Sequence, residues 1–120
     1  MRYVDGYVLP VPTRNLAAYA RIARKAGHIW REHGALEYRE CVGDDLAPKF
    51  GLPFPKAMKL KRGEVPVFSW IVFKNKSHRD RVNAKVMKDP RLNDPPMDPN
   101  KMPFDMKRMC YGGFTVRVDS

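Results

Sequence analysis

"GHIWREHGALEYREC" (27–41) packs histidines, glutamates, a tryptophan and a cysteine into one short run. It is either a metal or catalytic cluster, or the corner at which a helix becomes a strand, and residue spacing separates the two. Upstream, Leu16, Ala20, Ala23, Gly27 and Trp30 recur every three or four positions. Tyr19, Ile22, Ala26, Ile29 and His33 do the same one position back, which is the period of a half-buried helix. Starting from Thr13 or Asn15, either of which is an acceptable N-cap, the helix has about five turns. Gly34 then serves as the residue past its end, free of the β-carbon that resists a left-handed turn. From Ala35 the period drops to two: Leu36, Tyr38, Glu40 and Val42 face one way, and Glu37, Arg39 and Cys41 the other. The stretch is predicted to be a helix-to-strand corner.

The flanks extend the pattern. "RYVDGYVLPV" (2–11) alternates Tyr3, Asp5, Tyr7 and Leu9 against Val4, Gly6 and Val8, a strand that Pro10 and Pro12 are expected to stop. Residues 43–64, rich in proline and glycine, form a long hairpin arm. "PVFSWIVFK" (66–74) is a β-prone run with charge only beyond its end. Ser77 is expected to cap "HRDRVNAKVMKD", with Asp80 at the capping-box spacing and Val82 and Val86 inward. The proline-rich 89–105 is an irregular connection packed down by Met97, Met102 and Phe104. "RMCYGGFTVRV" (108–118) is the last strand, with Gly112 and Gly113 marking a bulge or a close approach. Strand, helix, strand, strand, helix, strand is the ferredoxin-like βαββαβ order: one α+β domain over 1–120, an antiparallel sheet with two helices on one face.

The other sheet face must then be accounted for. The alternation offers it Tyr3, Tyr7 and Leu9, either Phe68, Trp70 and Val72 or Val67, Ile71 and Phe73, and Met109 and Tyr111. So much contiguous apolar surface calls for a partner, and a two-fold dimer joined sheet to sheet is the simplest.

The 120 residues carry 23 Lys and Arg against 13 Asp and Glu, a formal charge of +10. Such a basic protein attracts polyanions, although the excess is spread over helix faces and loops. The longest uncharged apolar run, "VPVFSWIVF", is too short to span a bilayer, and Asp5 and Gly6 interrupt what would be a leader. Cys41 and Cys110 lie far apart without CxxC spacing, which suits reduced thiols in a cytoplasmic protein.

Three segments, "VFSWIVFKNKSHRDRVNAKVMKDPRL", "MPFDMKRMCYGGF" and the opening stretch continued to "GDD", resemble the signature segments of the YbaA-like family (domain of unknown function 1428). The resemblance covers essentially the whole chain. It implies the dimeric α/β-barrel superfamily, in which two ferredoxin-like subunits face their sheets together around a cavity. The family brings no established activity and no catalytic residues.

Candidate sites follow. His28 and Glu32 share a helix face, but Arg21, Arg24, Lys25 and Arg31 crowd it and would repel a metal ion, so neither a metal nor a cofactor is expected. His33 suits the negative end of the helix, and Trp30 suits the core. Cys41 lacks a base within reach and reads as a small buried hydrophobe. Asp5, Tyr7, Glu40, Ser69, Trp70 and Tyr111 are the strand residues expected to line the barrel cavity. Tyr7, Ser69, Trp70 and Tyr111 would contact a ligand, and Asp5 or Glu40 would serve as a base. The favoured function is binding of a small organic molecule by a homodimer. A cofactor-free oxygenase or isomerase is one alternative. An RNA-binding module, with Phe68 and Trp70 as a stacking pair or the Lys-rich 56–62 arm as a docking site, is another.

Overall fold

Period-two and period-3.6 segments alternate along the chain as β1 (Tyr3–Pro12), α1 (Leu16–Glu32), β2 (Glu37–Val42), the single turn α2 (Phe54–Ala57), β3 (Glu64–Phe73), α3 (Lys76–Lys88) and β4 (Cys110–Thr115). This computed structural model describes residues 1–94 and 98–120. The sheet is antiparallel throughout, in the order β2-β3-β1-β4. That is the ferredoxin-like split arrangement, with α2 as an added turn inside the 43–64 arm.

Strand register decides which face meets the helices. Leu9 pairs with Val67, Asp5 with Ile71 and Tyr7 with Ser69, while Glu40 pairs with Ser69 and Tyr111 with Tyr7. These residues therefore share one face, and both long helices lie on it. Ile29 of α1 and Val82 and Val86 of α3 pack on Ile71 and Phe73, while Tyr19 and Ala23 of α1 pack on Leu9, Val11 and Val67. Phe73, Leu9 and Ile29 are sealed from solvent, each stabilising the fold by roughly 1.5–3 kcal/mol.

The α1–β2 corner forms as its spacing predicts. Gly34 has φ +115°. The Gly34 and Ala35 amides return to the carbonyls of Arg31 and Trp30, and Leu36 N–H donates to Val72 O at 2.8 Å, which begins the next strand. Gly27 lets α1 settle onto β2: a β-carbon there would sit 2.8 Å from the Tyr38 ring.

Several expectations are corrected. Tyr3, Tyr7, Leu9 and Tyr111 belong to the helix-covered face, and Met109 precedes β4 and packs against the Leu9 cluster. The open face carries Val4, Gly6 and Val8, then Phe68, Trp70 and Val72, then Cys110, Gly112 and Phe114. The reason is that β1 is apolar on both sides, so its alternation is silent about direction. Pro10 and Pro12 do not stop β1, which pairs with β3 through Pro12. Pro10 stands opposite Pro66, a pair that needs no N–H, and its nitrogen faces the side on which β4 has already ended at Val8. Asn75, not Ser77, caps α3 by accepting from His78 N–H at 2.8 Å. The last strand is shorter than 108–118. Its ladder runs unbroken past Gly112 and Gly113, so a bulge gives way to a close approach: a β-carbon on Gly113 would stand 2.7 Å from Tyr3 Cε2. Cys41 is exposed rather than buried, because it sits on the open face of an edge strand. Met97 lies outside the described residues.

Candidate functional site

Two carboxylates rise from the helix-covered face, and their surroundings differ. Asp5, 4% exposed, is gripped by α3: Arg79 Nη1 donates to one oxygen at 2.9 Å and Asn83 Nδ2 to the other at 3.3 Å. Asn83 Oδ1 in turn accepts from the Trp30 indole at 2.9 Å, tying α1 into the same network, and the Arg79 guanidinium lies over the Tyr3 ring. Burial outweighs the lowering pull of Asn83 and Arg79, so the Asp5 carboxyl titrates above its ordinary range.

Among the described residues Glu40 makes no ion pair. Its Oε1 accepts from the Tyr19 hydroxyl at 2.7 Å and its Oε2 from the Tyr38 hydroxyl at 2.8 Å. Tyr38 reaches it because residues two apart on a strand share a face, and Tyr19 because α1 crosses above. Burial, and secondarily the bond to Glu40, pushes the Tyr19 phenol far up. For Tyr38 burial comes first and the Glu40 charge second. Both phenols therefore stay protonated and keep donating. Tyr7 is pushed up to about 12, chiefly by burial and then by the Asp5 charge. Its ring stacks on that of Tyr111, with centroids 5.9 Å apart and planes 13° from parallel.

A cavity of about 180 Å³ opens between α1 and the sheet, with Glu40, Tyr19 and Tyr38 as its polar floor. Tyr7, Ser69 and Ile71 extend the sheet wall, and Met102 and Phe104 come over from the proline-rich connection. Phe104 meets Tyr19 edge-on at 5.6 Å, and Asn15 Nδ2 holds this segment by donating to Pro103 O at 2.9 Å. A second groove of about 660 Å³ runs along the β2 flank of α1 and shares Tyr19, Tyr38 and Glu40, so the carboxylate is reached from both sides of the helix. The small side chains of α1, Ala20, Ala23 and Ala26 among them, leave this space.

Of the six strand residues singled out from the sequence, Tyr7, Ser69 and Glu40 meet at this cavity, and Trp70 also contributes to its lining. Tyr111 stands at its edge against Tyr7, 72% exposed. Asp5 is committed to α3. Trp70 projects from the opposite face, where Phe68 stands edge-on to it at 5.6 Å and 61°. Tyr7, Ser69 and Glu40 thus line a cavity within a single chain. The sequence pattern assigns Tyr19 and Tyr38 only helix and strand positions. Tyr38-x-Glu40 was a usable signal; the approach of Tyr19 depends on tertiary packing that no local pattern carries. Elsewhere, Glu32 pairs with Arg91 and His33 with Asp89 at 2.8 Å, and among the described residues no His, Cys, Asp and Glu group is placed to hold a metal ion.

A four-stranded antiparallel sheet backed by two helices, with a carboxylate between two phenols beneath one of them, defines a ferredoxin-like α+β domain with an internal apolar site. A crystal structure of an uncharacterized NIPSNAP domain protein from Burkholderia xenovorans has a similar fold, with a TM-score of 0.58 at 14% identity over 97% of this chain and 95% of that one. The family described as "Protein of unknown function (DUF1428)" matches residues 2–106. The chain is also 42% identical over 119 residues, 99% of each sequence, to "Uncharacterized protein YbaA" of Escherichia coli K12 and of Shigella flexneri. It belongs to this family.

Proposed function

We propose that the chain binds a small, mainly apolar organic molecule beneath α1 and orients it by a hydrogen bond to the Tyr19–Glu40–Tyr38 cluster. The observation that carries this reading is a carboxylate held by two neutral donors, with no ion pair among the described residues, at the floor of a largely apolar cavity that Ser69 and Arg39 also line. A carboxylate that served only to stabilise the fold would be expected to have a cation, as Asp5 does. Each phenol donates to Glu40 and keeps a lone pair for a hydroxyl or acidic proton on the ligand, so a proton given to a tyrosine oxygen can pass on to Glu40. The cavity is smaller than the roughly 300–1,000 Å³ of drug-sized sites, which favours a compact occupant. The same chemistry supports a second reading, a cofactor-free isomerase or oxygenase with Glu40 as its base. Native mass spectrometry of freshly purified protein tests binding. A co-purifying small molecule that is lost in Glu40→Gln supports the reading, and equal occupancy in both proteins sinks it.

The protein is further proposed to be a cytosolic homodimer joined through its open face. Phe68 is 46% and Phe114 61% exposed there, beside Val4, Val8 and Trp70, a patch that favours association. Cys41, Phe68, Val8 and Cys110 lie in one row across this face, so the two free thiols report on it. Light scattering should give a dimer whose thiols react slowly until dilution; a monomer with fully reactive thiols contradicts the pairing. No helix among the described residues is long and apolar enough to cross a membrane.

A further inference from the structure

We infer a second, separate site on the outer flank of α1: a pocket for a compact polyanion, a di- or triphosphate group carried by a small molecule. A concavity of about 360 Å³ lies between α1 and the turn at 90–93, lined by Arg21, Arg24, Lys25, His28, Ile29 and Arg91. Positions 21, 24, 25 and 28 share one face of the helix by their spacing, and Ile29 gives the floor an apolar base.

Three observations set this pocket apart from an ordinary solvated face. The first is that the charge on its helix wall is uncompensated, whereas Arg91 on the far wall is paired with Asp89 and Glu32. No Asp or Glu occurs from Gly6 to Arg31, and among the described residues Arg21, Arg24 and Lys25 make no ion pair with a carboxylate. The second is that the far wall is pre-positioned. Asp89 accepts from Arg91 Nε at 3.1 Å and Nη2 at 2.8 Å, Glu32 reaches the same Nη2 at 2.6 Å, and His33 fixes Asp89. Across the mouth, Lys25 Nζ donates to Asp94 O. The third is that the arrangement opposes helix stability. Arg21 sits three residues from Arg24 and four from Lys25, both repulsive spacings, and an anion between them would relieve that repulsion. Arginine forks match phosphate oxygens two at a time, and the volume falls within the range of small-ligand sites. The pocket shares no residue with the cavity beneath α1, and only Arg24 and His28 with the groove along the β2 flank.

Inorganic pyrophosphate is the probe, titrated calorimetrically at constant ionic strength. The wild-type chain should bind it saturably at one site per chain and melt at a higher temperature in its presence. Arg21→Gln/Arg24→Gln should weaken binding at least tenfold and lose the anion-dependent rise in melting temperature, while melting no lower than wild type without the anion, since a repulsion has been removed. Lys56→Gln/Arg62→Gln, with the same change in net charge elsewhere, should bind as wild type does. The inference is overturned by any of three results: no saturable binding, equal weakening in the two double variants, or tighter binding of a short single-stranded RNA than of pyrophosphate at the same site. The last would make α1 an extended polyanion surface rather than a pocket.

Discussion

Asp5 and Glu40 stand on the same sheet face, one under α3 and the other under α1, and their partners assign them different work. Asp5 has both oxygens occupied by donors from α3, one of them a guanidinium, and is shut away from solvent. It couples the two helices to the sheet through Asn83 and Trp30. Glu40 is held by two phenols, carries no countercharge and faces a cavity. On the proposed reading, a carboxylate's fold position says less about its role than the charge state of its donors: cationic donors make a clamp, and neutral ones would leave a charge available to a ligand.

The largest test of that contrast is Arg79→Met. Removing the countercharge strands Asp5, and breaking a buried pair costs about 3–5 kcal/mol; with the Arg79 side chain 21% exposed, about 2–4 kcal/mol is expected in urea denaturation. The loss should grow with pH. Asp5 titrates above its ordinary value in the folded chain and higher still without Arg79, so its contribution is intact at low pH and declines as pH rises through the folded value. A pH-independent loss would break the contrast.

A third carboxylate extends it. Glu64, at the start of β3, accepts from both terminal guanidinium nitrogens of Arg108 at 2.7 and 2.8 Å and is held down at about 2, first by that bond. Its stabilisation should be complete above the ordinary value of 4.5 and lost as pH falls through about 2. Arg108→Gln should remove this acid limb and cost about 1–2 kcal/mol, between surface and buried pairs. Gly27→Ala is expected to cost about 1 kcal/mol net. Overpacking against Tyr38, at about 1–3 kcal/mol, is partly offset by about 1 kcal/mol of helix propensity. Ligand binding should weaken with it, because Tyr38 is pushed off Glu40. Smallest in stability is Glu40→Gln, within about 1 kcal/mol of wild type, since an amide oxygen still accepts from a phenol. A large loss there would make Glu40 a clamp like Asp5.

The sequence carried the element order because the period changes at Gly34 and again at the strands. Family resemblance was equally legible, in "MPFDMKRMCYGGF" and its companion segments. The direction of the sheet was not, since Val4 and Val8 balance Tyr7 and Leu9, and the packing of Tyr19 and Ala23 on Leu9 and Val67 breaks the tie. That one ambiguity placed Tyr7 and Tyr111 on the wrong face. The sheet face of Glu40 was legible because Tyr38, Glu40 and Val42 could be sorted from Cys41 by alternation alone. Its second phenol, Tyr19, comes from a helix 21 residues away and was invisible to any local rule.

The most direct measurement is amide and indole NMR mapping of a panel of small phenols and cyclic ketones titrated into the protein. Shifts centred on Tyr19, Tyr38, Glu40, Ser69 and the Trp30 indole, and absent in Glu40→Gln, are the predicted result. Shifts centred on Phe68, Trp70 and Phe114 would place the ligand on the open face and contradict a site beneath α1.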